Sequence, residues 1–267
     1  MKWLSVIMGG MCSFALVDAA WADAVNTRPA EILGSDLQDA MDAITVSGPG
    51  INVYTDQDPF ARFTNTASGG AVATFIVEVT GFGDTNEFGI YDSVDPTKKA
   101  KIFDGSDSAG SIKLVSFMAN GDIRVNFVTV ATGFASPGNF GFYVDVFEAP
   151  LGAGGDGDSS KLDYTNYTED SLNQGGATQA VLFQGDDETT LGIAPFSPGL
   201  FTSNQFILAF EDLLLAPGCV GCDSVSDRSY SDLVVLVESI APVPAPGAAL
   251  LASMGLSMVA WRRRRWS

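Results

Sequence analysis

The sequence predicts an all-β protein, an antiparallel β-sandwich or jelly-roll-like domain with a short N-terminal helix, flanked by a signal peptide and a C-terminal apolar helix. Three observations predict it. Apolar residues alternate with a period of two over many short runs, Gly, Asn, Asp and Ser punctuate those runs, and no long helical pattern separates them. Such a pattern favours packed antiparallel sheets over an alternating α/β arrangement.

In chain order, Lys2 and the apolar run from Trp3 to Val17 have the charge and hydropathy of a secretory signal, and Ala20-Trp21-Ala22 supplies an A-x-A cleavage site. Residues 1–22 are therefore expected to be removed by signal peptidase, and Cys12 with them. Ser35 is an N-cap candidate for a short helix to Ile44, with Leu37, Met41 and Ile44 on one face. From there the period changes to two. Phe75, Val77 and Val79 share one face of a strand, and so do Phe140, Phe142, Val144 and Val146 of the run Phe140 to Phe147. Further strands are expected at Glu87 to Tyr91, Ile112 to Met118, Ile123 to Val130, Ala180 to Phe183, Gln205 to Phe210 and Leu233 to Glu238. Asn120-Gly121, between two of these runs, is the signal of a hairpin with a primed turn.

The ends differ from the middle in charge. The chain has 267 residues, 14 Lys and Arg against 32 Asp and Glu, and no histidine, so histidine-dependent catalysis and imidazole metal sites are excluded. Residues 23–241 hold nine of the cations and 31 of the acids, a net charge of −22, which argues against a nucleic-acid partner. Trp3, Trp21, Trp261 and Trp266, all four tryptophans, lie in the end segments, where amphipathic rings suit a membrane interface. Pro242, Pro244 and Pro246 close the domain, and Gly247 to Trp261 is an uncharged apolar run followed by Arg262, Arg263, Arg264 and Arg265. Its fifteen residues span about 22 Å as a helix, short of a roughly 30 Å hydrocarbon core. The four arginines nevertheless read as a stop-transfer signal that stays cytoplasmic, placing the acidic domain on the far side of the inner membrane.

The C-terminal arrangement resembles the PEP-CTERM sorting signal of Gram-negative bacteria: a short Pro-containing motif, here Val243-Pro244-Ala245-Pro246, then an apolar helix and an Arg cluster. Ala245 departs from it, since that position most often holds Glu. The resemblance implies that residues 242–267 are a sorting signal, that an exosortase removes the tail near Pro244 to Pro246, and that the domain is released to, or attached at, the cell surface or extracellular matrix. Residues from about Leu37 to Ile240 are similar to an uncharacterised extracellular β domain often found before this signal. The similarity rests most on Ala209-Phe210-Glu211-Asp212-Leu213 and Ser226-Asp227-Arg228-Ser229-Tyr230-Ser231-Asp232-Leu233. That family commonly has Asp and Asn or Thr where Ser229 and Ser231 stand.

Glu211, Asp212, Asp227 and Asp232 fall around one loop after a strand pair, and hard oxygen ligands from such loops suit calcium. A solvated acidic loop, with Asp227 as a turn cap or paired to Arg228, is the alternative. Cys219 and Cys222, in the same loop, have no second pair and no histidine to complete a zinc site, and an exported chain favours a disulfide between them. Gly154-Gly155-Asp156-Gly157-Asp158 approaches a calcium-binding repeat but has Ser159 where that repeat has Asp, and reads as a flexible linker. Asn166-Tyr167-Thr168 is a sequon. No pair among the 31 acids is singled out as catalytic, so no catalytic residues are assigned. Two functions follow: a non-enzymatic surface or matrix protein stabilised by calcium, or a calcium-dependent glycan-binding module that contacts extracellular polysaccharide.

Overall fold

The computed structural model describes residues 26, 28–68, 71–77 (backbone), 86–135, 138–147, 158, 160–194, 196–214 and 226–243. All of them belong to the unit Ala24–Pro244. Helix α1 (Asp36–Ile44) is followed by β1 (Thr45–Ser47), β2 (Phe63–Asn65), β3 (Ala71–Val77), β4 (Glu87–Asp92), β5 (Lys99–Asp104), β6 (Ile112–Phe117), β7 (Ile123–Val125), β8 (Val128–Ala131) and β9 (Asn139–Val146). Then come β10 (Tyr164–Tyr167), β11 (Ala180–Gln184), β12 (Thr190–Leu191), β13 (Gly199–Leu200), β14 (Gln205–Phe210), β15 (Leu233–Glu238) and β16 (Ile240–Pro242).

The architecture is all-β and antiparallel. A six-stranded sheet runs β16-β2-β9-β4-β5 with β10 also paired to β9, a seven-stranded sheet runs β11-β14-β15-β3-β6-β7-β8, and β1-β12-β13 form a small third sheet. The two large sheets share one core because period-two alternation gives each an apolar face: Phe88, Ile90, Phe140, Phe142 and Val144 from one meet Leu182, Phe206, Leu208, Phe210 and Val235 from the other. Phe142 stacks on Phe88 with ring centroids 5.7 Å apart, and Phe63 meets both Phe142 and Phe206 edge-on at 5.5 and 5.2 Å.

A second core covers the other face of the seven-stranded sheet. Leu37 and Met41, one helical turn apart on α1, pack with Ile51, Val53, Leu191 and Phe201 onto Val181, Phe183, Ile207, Val234 and Leu236. The outer face of the six-stranded sheet is sealed differently. Gly89 pairs with Tyr143 and Tyr91 with Gly141 across β4 and β9, and each tyrosine ring lies against the opposing glycine. A Cβ on Gly141 would come within 2.3 Å of the Tyr91 ring, so these glycines supply the space that buries both tyrosines.

Several expectations change in detail. Ser35 sits at the N-cap, but its hydroxyl donates to Asp39 Oδ2 at 2.9 Å and caps no backbone N–H. The run Ile123 to Val130 is two strands, since Asn126 and Phe127 turn the chain with φ of 48° and 68°. The turn at Asn120-Gly121 is wider than a primed two-residue loop: Met118 N–H donates to Asp122 O, Gly121 N–H to Met118 O, and only Gly121 has a left-handed φ, of 86°. Strands β1, β2, β5, β10, β12, β13 and β16 come from segments where none was expected. Val79 lies outside the described residues.

Candidate functional site: a buried carboxylate cluster

Strands β14 and β15 pair in register up to Phe210 opposite Leu233, so the next residues outward, Glu211 and Asp232, meet at the end of the ladder. Asp212 N–H donates to Asp232 Oδ2 at 2.7 Å, which brings the third acid in. One oxygen from each of Glu211, Asp212 and Asp232 lies within 4.8 Å of the others. The three residues are only 0, 2 and 5% exposed, so they are not a solvated acidic surface.

The six-stranded sheet holds this corner from the other side. Tyr164 Oη donates to Asp212 O at 2.7 Å, Asn166 Nδ2 to Glu211 O at 2.9 Å and to Asp212 O at 3.3 Å, and Asn86 Nδ2 to Asp212 Oδ2 at 3.3 Å. Glu211 N–H donates to Gln179 O at 3.0 Å, and Gln179 Nε2 returns a bond to Leu213 O at 2.9 Å. The Glu211 carboxylate accepts Leu213 N–H on Oε1 at 3.2 Å, while its buried Oε2 has no hydrogen-bond partner.

Residues 226–232 approach the cluster through a chain of short-range turns. Ser226 Oγ accepts Arg228 N–H at 2.9 Å, Asp227 Oδ1 accepts Ser229 N–H at 2.8 Å, and Ser229 Oγ accepts from Ser231. Arg228 and Tyr230 take left-handed φ values of 56° and 52°, a conformation that such side-chain turns support. Tyr230 Oη donates to Thr178 O at 2.9 Å and fixes the middle of the segment.

Three of the four acids singled out from the sequence are thus together. The fourth, Asp227, is exposed, and its carboxylate caps the Ser229 N–H. Arg228 pairs with Glu31, not with Asp227. Asn86, Tyr164, Asn166 and Gln179 were not readable as site residues; the one sequence signal is Asn166, a polar residue between Tyr164 and Thr168 that folding buries. Burial also withdraws the sequon's side-chain amide, which is committed to the carbonyls of Glu211 and Asp212. Cys219, Cys222, Ala20, Ala22, Pro244, Ala245, Pro246 and Arg262 to Arg265 lie outside the described residues, as do Gly154 to Gly157. Val243 is described, and its N–H donates to Arg62 O at 3.0 Å.

Burial is the main force on the cluster's electrostatics. It raises the Glu211 and Asp232 carboxyls above the ordinary carboxylate range; hydrogen bonds from Ser226 and Asp232 oppose it at Glu211 while the Asp227 and Asp212 charges add to it, and the Asp212 and Glu211 charges add to it at Asp232. The Tyr164 hydroxyl is raised by burial and then by Asp212. No ion pair among the described residues reaches Glu211 or Asp232. Three carboxylates so close and so dry need protons or a cation to neutralise them.

Comparison with protein-family models, with curated proteins and with solved structures finds no match to this chain. Among the described residues, no helix is long and apolar enough to cross a membrane.

Proposed function

We propose that the protein is a non-enzymatic exported module, cut at both ends and displayed at the surface or in the extracellular matrix of a Gram-negative bacterium. The observation that carries the reading is where the described β-structure stops. Strand β16 stops at Pro242, Val243 is tied back to Arg62, and the Val243-Pro244-Ala245-Pro246 motif begins at that residue. A sorting signal that starts where the last strand stops can be removed by an exosortase at the inner membrane without opening the sheet. The two large sheets on one core are read here as a sandwich, a scaffold that keeps its integrity outside the cell. The main cluster of ionisable groups is closed to solvent, which suits a structural role better than a substrate site.

The scaffold reading is preferred to glycan binding on the outer face of the six-stranded sheet, where Tyr91 and Tyr143 are buried and present no free ring for sugar stacking; the exposed rings of Tyr54, Phe127 and Phe196 lie on other elements. Mass spectrometry of the surface and secreted fractions of the native host tests the proposal. The mature protein should begin after Ala22 and lack Arg262 to Arg265. An intact C-terminus on the surface-exposed protein would refute exosortase-type processing.

A further inference from the structure

We propose that Glu211, Asp212 and Asp232 bind a calcium-class divalent cation that fixes the ends of β14 and β15 against β10. The site stands on its own geometry, whatever the route of export. One oxygen from each acid lies within 4.8 Å of the others, and two oxygens on opposite sides of a calcium ion, each 2.3–2.6 Å from it, are separated by about 5 Å. The span therefore allows all three to reach one ion with little rearrangement.

A second observation points to a ligand. Glu211 is fully buried, and its Oε2 has no hydrogen-bond partner although Oε1 accepts Leu213 N–H. Buried carboxylate oxygens are costly to leave bare, and a cation in the cluster would satisfy this one. The donor set is carboxylate oxygen throughout, which selects hard cations over zinc or copper. Magnesium binds poorly to such a closed cluster because it retains several of its waters, whereas calcium exchanges water for protein oxygens readily.

The ion would act through the backbone around it. Tyr164 and Asn166 of the six-stranded sheet already bond the carbonyls of Glu211 and Asp212, which extend the seven-stranded sheet. Fixing the three carboxylates would turn those bonds into a rigid link between the sheets at one end of the core.

The test uses the full chain, stripped with chelator, and follows thermal melting and terbium luminescence excited through tyrosine. Tyr164, whose hydroxyl bonds the Asp212 carbonyl, is the antenna beside the site. At about 100 times its dissociation constant, calcium should raise Tm by about 5–10 °C, and sodium chloride at equal ionic strength should not. Bound terbium should luminesce and be displaced by calcium. Glu211→Gln and Asp232→Asn should each abolish the calcium-specific rise and most of the luminescence, and Asp227→Asn should leave both in place. Identical melting of the unmodified chain in calcium and in chelator overturns the proposal, and this comparison decides the matter if a variant fails to fold. Survival of the rise in both cluster variants, or its loss in Asp227→Asn alone, overturns it as well.

Discussion

Replacing Arg62 by methionine should destabilise the protein far more than replacing Arg62 and Glu169 together. Arg62 Nε and Nη2 donate to Glu169 Oε2 and Oε1 at 2.7 and 2.9 Å, a bidentate pair whose side chains are 13 and 3% exposed. Without the guanidinium, the Glu169 carboxylate keeps two neutral donors, Tyr91 Oη at 3.3 Å and Ser171 Oγ at 2.9 Å. A buried carboxylate stripped of its cation costs about 3–5 kcal/mol. For a domain of this size that is a fall in Tm of about 6–20 °C. Arg62→Met/Glu169→Gln removes the stranded charge and leaves one hydroxyl an acceptor oxygen, while the other can rotate to accept from the amide NH2, so its stability should return to within about 1 kcal/mol of the parent. Urea melts read both numbers, provided the slope is unchanged among variants. A loss below about 1 kcal/mol in the single variant, or a double variant no more stable than the single one, would show that the pair does not carry buried charge.

Two further perturbations probe the sheets. Gly141→Ala places a Cβ 2.3 Å from the buried Tyr91 ring and should cost about 1–3 kcal/mol, whereas Gly199→Ala meets nothing within 4 Å and should stay within about 0.5 kcal/mol; equal melting temperatures would contradict the packing described. Asp58 accepts Gln184 N–H on Oδ2 at 2.7 Å, and burial raises its carboxyl above the unfolded-chain value. The native state then holds the proton more tightly than the unfolded chain, so the group costs stability above its unfolded pKa and nothing below it. Asp58→Asn should raise Tm at pH 7 and leave it unchanged near pH 3, and the opposite trend in thermal melts would reverse the assigned sign.

The central strands of the seven-stranded sheet are legible as short apolar runs bounded by polar residues, because both of their faces are buried. Gln205–Phe210 and Leu233–Glu238 have the bounds expected from the sequence, and their register brings Glu211 and Asp232 together. Strand β5 carries the signal in a weaker form: Ala100, Ile102 and Phe103 enter the core, but Lys99 and Lys101 break up the apolar run. Strand β10 carries almost none, since its inner position is Asn166, selected for the carbonyls it bonds and not for apolar burial. The break inside Ile123 to Val130 is hidden because Phe127, in the turn, is apolar yet 77% exposed. Asp227 illustrates the remaining limit. Four acids around one loop have equal claims as ligands, and only the turn at Ser229 shows that one of them caps backbone at the surface.

The last strand is also the outermost strand of its sheet, which sets how the module would bear a load. Were the protein held by its C-terminal tail, every pull would pass through β16, whose ladder with β2 is three residue pairs, Ile240 with Asn65, Ala241 with Thr64 and Pro242 with Phe63. Tension along the strand stresses these contacts jointly in shear, whereas tension across it peels them one at a time from the tail inward. In the peeling direction the first contact strained is the Val243 N–H on Arg62 O, at the residue whose side chain is bolted to Glu169. Under such attachment the ion pair would reinforce the point where force from the tail enters the domain.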